Sequence, residues 1–151
     1  MILDELNEFA DAVAVTGTAA STYVLGDYID LGSSPTLKDI GVGEDLYLVI
    51  GVDTTVAASG GAANVTFKLV SDSVVTLDSS PTTHWTSGAI AKGTLVAGYI
   101  VARVKLPAGN YERYLGVTFT PDTNDTTAGK VNAFLTKDIN RWIALPNAAG
   151  A

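Results

Sequence analysis

Asn64-Val65-Thr66-Phe67-Lys68-Leu69-Val70 sets apolar against polar at every second position. Val65, Phe67 and Leu69 point one way, and Asn64, Thr66 and Lys68 the other. A period of two belongs to a strand with one face in a core and one in water. Upstream, Leu46-Tyr47-Leu48-Val49-Ile50-Gly51-Val52 is apolar on both faces and reads as a strand covered on both sides. Downstream, Leu95 to Leu106 reads as one long strand, with Ile100, Ala102, Val104 and Leu106 inward and Arg103 and Lys105 outward. Leu106-Pro107-Ala108-Gly109-Asn110-Tyr111 is a turn, because Pro presets its φ and Gly accepts a positive φ. Tyr111 to Thr120 is therefore expected to pair back as a hairpin. Pro121 to Gly129 reads as a polar loop, and Lys130 to Thr136 alternates again.

Ala12–Thr16, Tyr23–Leu31 and Ser73–Asp78 complete the set, while the Pro/Ser/Thr-rich stretch around His84 and Trp85 reads as a loop. The 18 threonines suit pleated surfaces and lower helix propensity. About eight antiparallel strands in one chain predict an all-β, single-domain jelly roll or β-sandwich, with a small barrel as the other closure. Only the start has helical spacing, at Ile2, Leu6, Phe9 and Val13. Residues 1–12 are thus expected to form an arm or short helix, residues 13–145 the β-domain, and residues 146–151 a flexible tail.

Length and composition bound the function. A chain of 151 residues suits one domain and buries roughly 70% of its unfolded surface. It has 16 acids against 9 bases, one histidine and no cysteine. A net charge of −7 argues against a nucleic-acid partner, since phosphate contacts need clustered Lys and Arg. No apolar run reaches the length of a membrane span. The first residues lack the basic region of a signal peptide, so the protein is expected to be made and kept in the cytosol, or in a particle assembled there. Residues 1–53 hold ten of the acids and only one base, Lys38. That imbalance is either a solvating surface or a face that docks on something basic.

Catalytic patterns are missing. His84 has Ser79, Ser80 and Ser87 nearby in sequence, but no G-x-S-x-G elbow accompanies them. One His and no Cys build neither a His-rich nor a thiolate metal site. Asp122-Thr123-Asn124-Asp125 invites calcium, yet position six of an EF-hand loop would be Thr127 rather than Gly. Gly41-Val42-Gly43-Glu44 is not followed by a phosphate-loop Lys. No catalytic, cofactor-binding or metal residue is therefore expected. The tyrosines and tryptophans are scattered, and Trp142 beside Arg141 is the aromatic best placed for a contact surface. At the other end, Leu3, Leu6 and Phe9 are large apolar residues interleaved with Asp4, Glu5, Glu8 and Asp11.

Both ends of the chain are familiar in combination. Met1-Ile2-Leu3-Asp4, Asn7 to Ala12, Val15 to Ser21 and Tyr28 to Gly32 resemble the start of the Bbp16-like capsid cement proteins of tailed bacteriophages. Arg113-Tyr114-Leu115-Gly116-Val117 followed by Thr127 to Thr136 resembles that family's closing hairpin. The likeness runs through most of the chain in matching order, least clearly over residues 53–93. It implies a jelly-roll virion protein, neither enzyme nor cofactor carrier, made in the host bacterial cytoplasm and bound to the outer surface of the icosahedral head. Its partners would be the major capsid protein and its own copies, as a dimer or trimer on capsid axes. The residues themselves, rather than the resemblance, offer Leu3, Asp4, Glu5, Leu6, Phe9, Arg141 and Trp142 as contacts with a partner. Two rival functions stand beside it. One is a carbohydrate- or receptor-binding β-sandwich of a tail, which needs clustered exposed aromatics. The other is a small hydrolase, which needs His84 beside a carboxylate and a hydroxyl.

Overall fold

Where Asn64–Asp72 alternates, it forms a strand whose Val65, Phe67 and Leu69 are fully buried. This computed structural model describes residues 5–33, 40, 43 and 45–139. A 3-10 turn at Glu5–Asn7 precedes eight strands: β1 Glu8–Ala14, β2 Tyr23–Asp30, β3 Tyr47–Ala58, β4 Asn64–Asp72, β5 Thr82–Ala91, β6 Ile100–Lys105, β7 Tyr114–Asp122 and β8 Thr126–Thr136. They make two four-stranded sheets, ordered β1-β8-β3-β6 and β2-β7-β4-β5, and every pairing is antiparallel.

The first strand pairs with the last, the second with the next to last, and so inward to the β4–β5 hairpin. That is one long antiparallel ribbon rolled up until β3 also meets β8 and β4 also meets β7. The winding is a jelly roll, a double-sheet sandwich that buries one face of each sheet. Phe9, Leu25, Leu48, Ile50, Phe67, Leu69, Leu115, Val117 and Val131 share the core between the sheets. Val49, flanked by core residues, turns to the other face, where it pairs with Phe134 and both are buried. This explains why both faces of that strand read as apolar.

The structure corrects several expectations. Ser73–Asp78 is not a strand. Asp72 Oδ1 accepts the Val74 N–H, and the chain turns so that Leu77 seals against Gly116. The strand lies instead at Thr82–Ala91 and carries His84 and Trp85. Its alternation is hidden by two irregularities: His84 is one residue too many between the pairs Leu69–Trp85 and Val70–Thr83, and Ser87 with Gly88 opposes Phe67 alone. At the second, the Ser87 hydroxyl replaces a backbone carbonyl and accepts the Phe67 N–H at 3.0 Å. β6 starts only at Ile100, because Leu95–Tyr99 is spent in turns closed by Leu95 N–H to Lys92 and Tyr99 N–H to Val96.

The turn after Leu106 exists but makes no hairpin: it carries the chain from one sheet to the other. The closing hairpin that the resemblance implied is likewise two strands in different sheets, β7 and β8. The ribbon winding requires both crossings, since each must find an earlier strand. The arm or helix expected over residues 1–12 gives way from Glu8 onward to β1, so the β-domain begins before residue 13. Phe9 and Ala10 are core residues, which overrides the helical spacing of the surrounding apolar residues.

Candidate partner-binding surface

The residues expected to meet a partner divide sharply. Phe9 is 1% exposed and packs inside the sandwich, so it is withdrawn as a contact residue. Leu6, on the preceding 3-10 turn, is 79% exposed. Glu5 is exposed beside it. Leu3, Asp4, Arg141 and Trp142 lie outside the described residues, as does the tail 146–151.

β1 cannot run straight. Its register with β8 shifts between Glu8 and Ala10 and again between Ala10 and Val13, and Ala12 has a φ of 48°. The Ala12 N–H freed by that kink is taken by the Asn132 side chain at 2.6 Å. β2 approaches from the sister sheet, where Gly26 at φ 69° lies against the Phe9 carbonyl. These two distortions open a groove of about 490 Å³ lined by Glu5, Glu8, Asp11 and Asp27, with Phe9, Ala10 and Val13 at its base. Sequence reading placed three of these acids at the N-terminus but missed Asp27, which folding brings in from β2. The acid surplus of the first third was the available signal. Burial, and then the charges of Asp11 and Glu5, push the Glu8 carboxyl above its ordinary range. An acidic groove beside an exposed leucine suits a partner that brings a base and an apolar contact.

A second cluster bears on the hydrolase rival. Ser71 and His84 share a hydrogen bond of 2.7 Å between Oγ and Nε2, and the Glu112 N–H donates to the same Oγ at 3.0 Å. Thr82 donates to the Glu112 carboxylate at 2.7 Å. Hydroxyl, imidazole and carboxylate thus come together, using a serine that sequence proximity to His84 did not suggest. Yet Ser71 is 0% exposed and its hydroxyl is already held between His84 and the Glu112 N–H, which leaves it tied into the fold rather than turned to a substrate. The His84 ring lies 4.3 Å from that of Tyr111, whose hydroxyl donates to the Pro107 carbonyl. Burial pushes the Tyr111 phenol up to about 12 and lowers the His84 imidazole, with Glu112 opposing the latter. The cluster fastens the crossing segment after β6 onto β4 and β5.

Among the described residues the aromatics form no broad platform. Tyr28 is 44% exposed and meets Tyr114 edge-on at 90°, with the Arg113 guanidinium 4.8 Å from the centre of the Tyr114 ring. A T-shaped pair offers no shared flat surface for a sugar ring. In the Asp122–Asp125 loop, the Asp125 carboxylate accepts the Ala19 N–H at 2.9 Å. Among the described residues no three His, Cys, Asp or Glu side chains gather closely enough to hold a metal ion. No helix among them is long and apolar enough to cross a membrane.

Comparison with curated proteins gives no match. The family model of Bbp16 matches residues 9–135. The match begins at the buried Phe9 of β1 and ends at Leu135 of β8, and so takes in every strand of the two sheets. On that coverage the chain belongs to the Bbp16 family.

Proposed function

We propose that the protein is a capsid cement: a non-enzymatic jelly roll, without cofactor, that binds the outside of an icosahedral phage head and ties neighbouring major capsid subunits together. The observation that carries this proposal is the family match over all eight strands, which takes in most of the segments on which the resemblance to cement proteins rests. The exposed Leu6 beside the acidic groove supports a protein partner over nucleic acid, which the groove's charge would repel. Two copies meeting across a two-fold capsid axis, or three about a three-fold axis, would associate as a dimer or a trimer. The edge-on set of Tyr28 and Tyr114 lends little to the sugar-binding alternative.

Cement acts by mass action. A protein that binds only the assembled shell stabilises it by about 2.7 kcal/mol per site at a hundredfold excess over Kd. Heads assembled without the protein are expected to release DNA at a lower temperature than complete heads, and adding it back should restore the difference. Equal release temperatures would refute the proposal.

A further inference from the structure

The outer face of the second sheet holds a groove that cement function leaves unassigned. Lys68 of β4 stands in its middle, directly across from Thr118 of β7. Two lobes of about 260 and 220 Å³ meet at Lys68 and Thr22. Asp122 lines the first lobe and Asp78 the second. The Thr22 and Thr120 hydroxyls are bonded to each other at 2.9 Å. The segment after β4 walls the second lobe, held down where Leu77 seals against Gly116.

Two groups in this groove are uncommitted. Among the described residues the ion pairs are Lys105–Asp45 and Arg113–Asp30, and Lys68 has no carboxylate within bonding distance. Thr118 is 1% exposed, lines the groove, and its hydroxyl makes no hydrogen bond there. A buried hydroxyl without a partner is unfavourable, so a ligand that accepts from it gains affinity. An ammonium beside a hydroxyl donor fits an acceptor that carries negative charge. Asp78 and Asp122 narrow the choice, because they repel a dianion such as phosphate more than a singly charged group.

We propose that this groove binds a carboxylate, with Lys68 as its charge partner and Thr118 as its hydroxyl donor. The carboxylate belongs either to a small free acid or to an Asp or Glu side chain of a neighbouring protein. Isotope-labelled protein titrated with acetate, and separately with a blocked Gly-Glu-Gly peptide, tests this at ionic strength held constant with chloride. Amide resonances of Thr22, Lys68 and Thr118 are expected to shift and saturate. Lys68→Gln should weaken binding about tenfold or more, and Thr118→Val about three- to tenfold. Thr118→Val should not lower Tm, since it removes a buried group that has no partner. Tighter binding of the peptide assigns the site to a protein side chain, and equal or tighter binding of acetate to a free acid. Shifts undiminished in Lys68→Gln, tighter binding of inorganic phosphate than of both carboxylates, or no saturation in the millimolar range would overturn the proposal.

Discussion

At the scale of single residues, Ser71 has the heaviest duty. One hydroxyl joins the crossing segment, through the Glu112 N–H, to the edge strand, through His84. Ser71→Ala leaves both half-buried partners unmet, and should cost about 1 kcal/mol in urea unfolding. His84 gives stability a pH dependence of known sign. Its folded pKa lies below the ordinary 6.5, so below that pH the unfolded chain takes up protons first and stability falls as the solution is acidified. Unfolding free energies between pH 7.5 and pH 5 (about one unit above and about 1.5 below the ordinary value) should decline less in His84→Gln than in the parent. Glu8 works the other way. Its pKa is raised above 4.5, so its contribution is lost as pH climbs through the raised value. Glu8→Gln should therefore raise Tm at pH 7, on the scale of roughly 0.2–1 kcal/mol for exposed charges. An unchanged or lower Tm would show that the acidic groove is not under repulsion.

At the scale of elements, β1 and the turn before it separate core from contact surface. Phe9→Ala should cost about 3–5 kcal/mol. Leu6→Ala should leave Tm in place and weaken binding to heads, and loss of stability with binding unaffected would count against Leu6 as a contact. Deleting residues 2–11 takes Phe9 and Ala10 from the core, so it is expected to unfold the free protein. Two glycines contrast in the same way. A Cβ at Gly26 would lie 2.1 Å from the Phe9 carbonyl oxygen, whereas one at Gly88 meets nothing within 4 Å, and both have φ 69°. Gly88→Ala should cost only the left-handed strain of about 1–2 kcal/mol, and Gly26→Ala distinctly more. The same elements show what was legible in the sequence. β4 and the alternating part of β8 follow the period of two, and so could be read directly. β5 could not, because two extra residues break its period and its composition is that of a loop. The start of β1 has helical spacing because register shifts and a kink at Ala12 spread its buried residues unevenly. Of the candidate surface, Leu6 and Glu5 were readable. Asp27 was not, since only the meeting of β1 with β2 brings it to the groove.

At the scale of the whole molecule, the ribbon winding sets how the chain must fold. β4 and β5 pair across a short segment, whereas Glu8 meets Phe134 from the far end of the chain. Closing such distant contacts is slow, so refolding is expected in milliseconds to seconds. Substitutions in the β4–β5 hairpin should slow folding, and those in β1 should mainly speed unfolding, as stopped-flow rates would show. Opposite behaviour would place the nucleus at the first sheet's β1–β8 edge. All four edge strands also carry register shifts in their pairings with their neighbours, at β1, β2, β5 and β6. Irregular edges are poor templates for adding a foreign strand, which guards a β-protein against sheet-to-sheet aggregation. The pairing of first strand with last has one more consequence, for engineering. Because β1 starts beside the place where β8 stops, a short linker could join them, and a new start could be cut in the segment between β4 and β5. Such a circularly permuted chain would keep every strand pair while exchanging its slowest closure for a covalent bond.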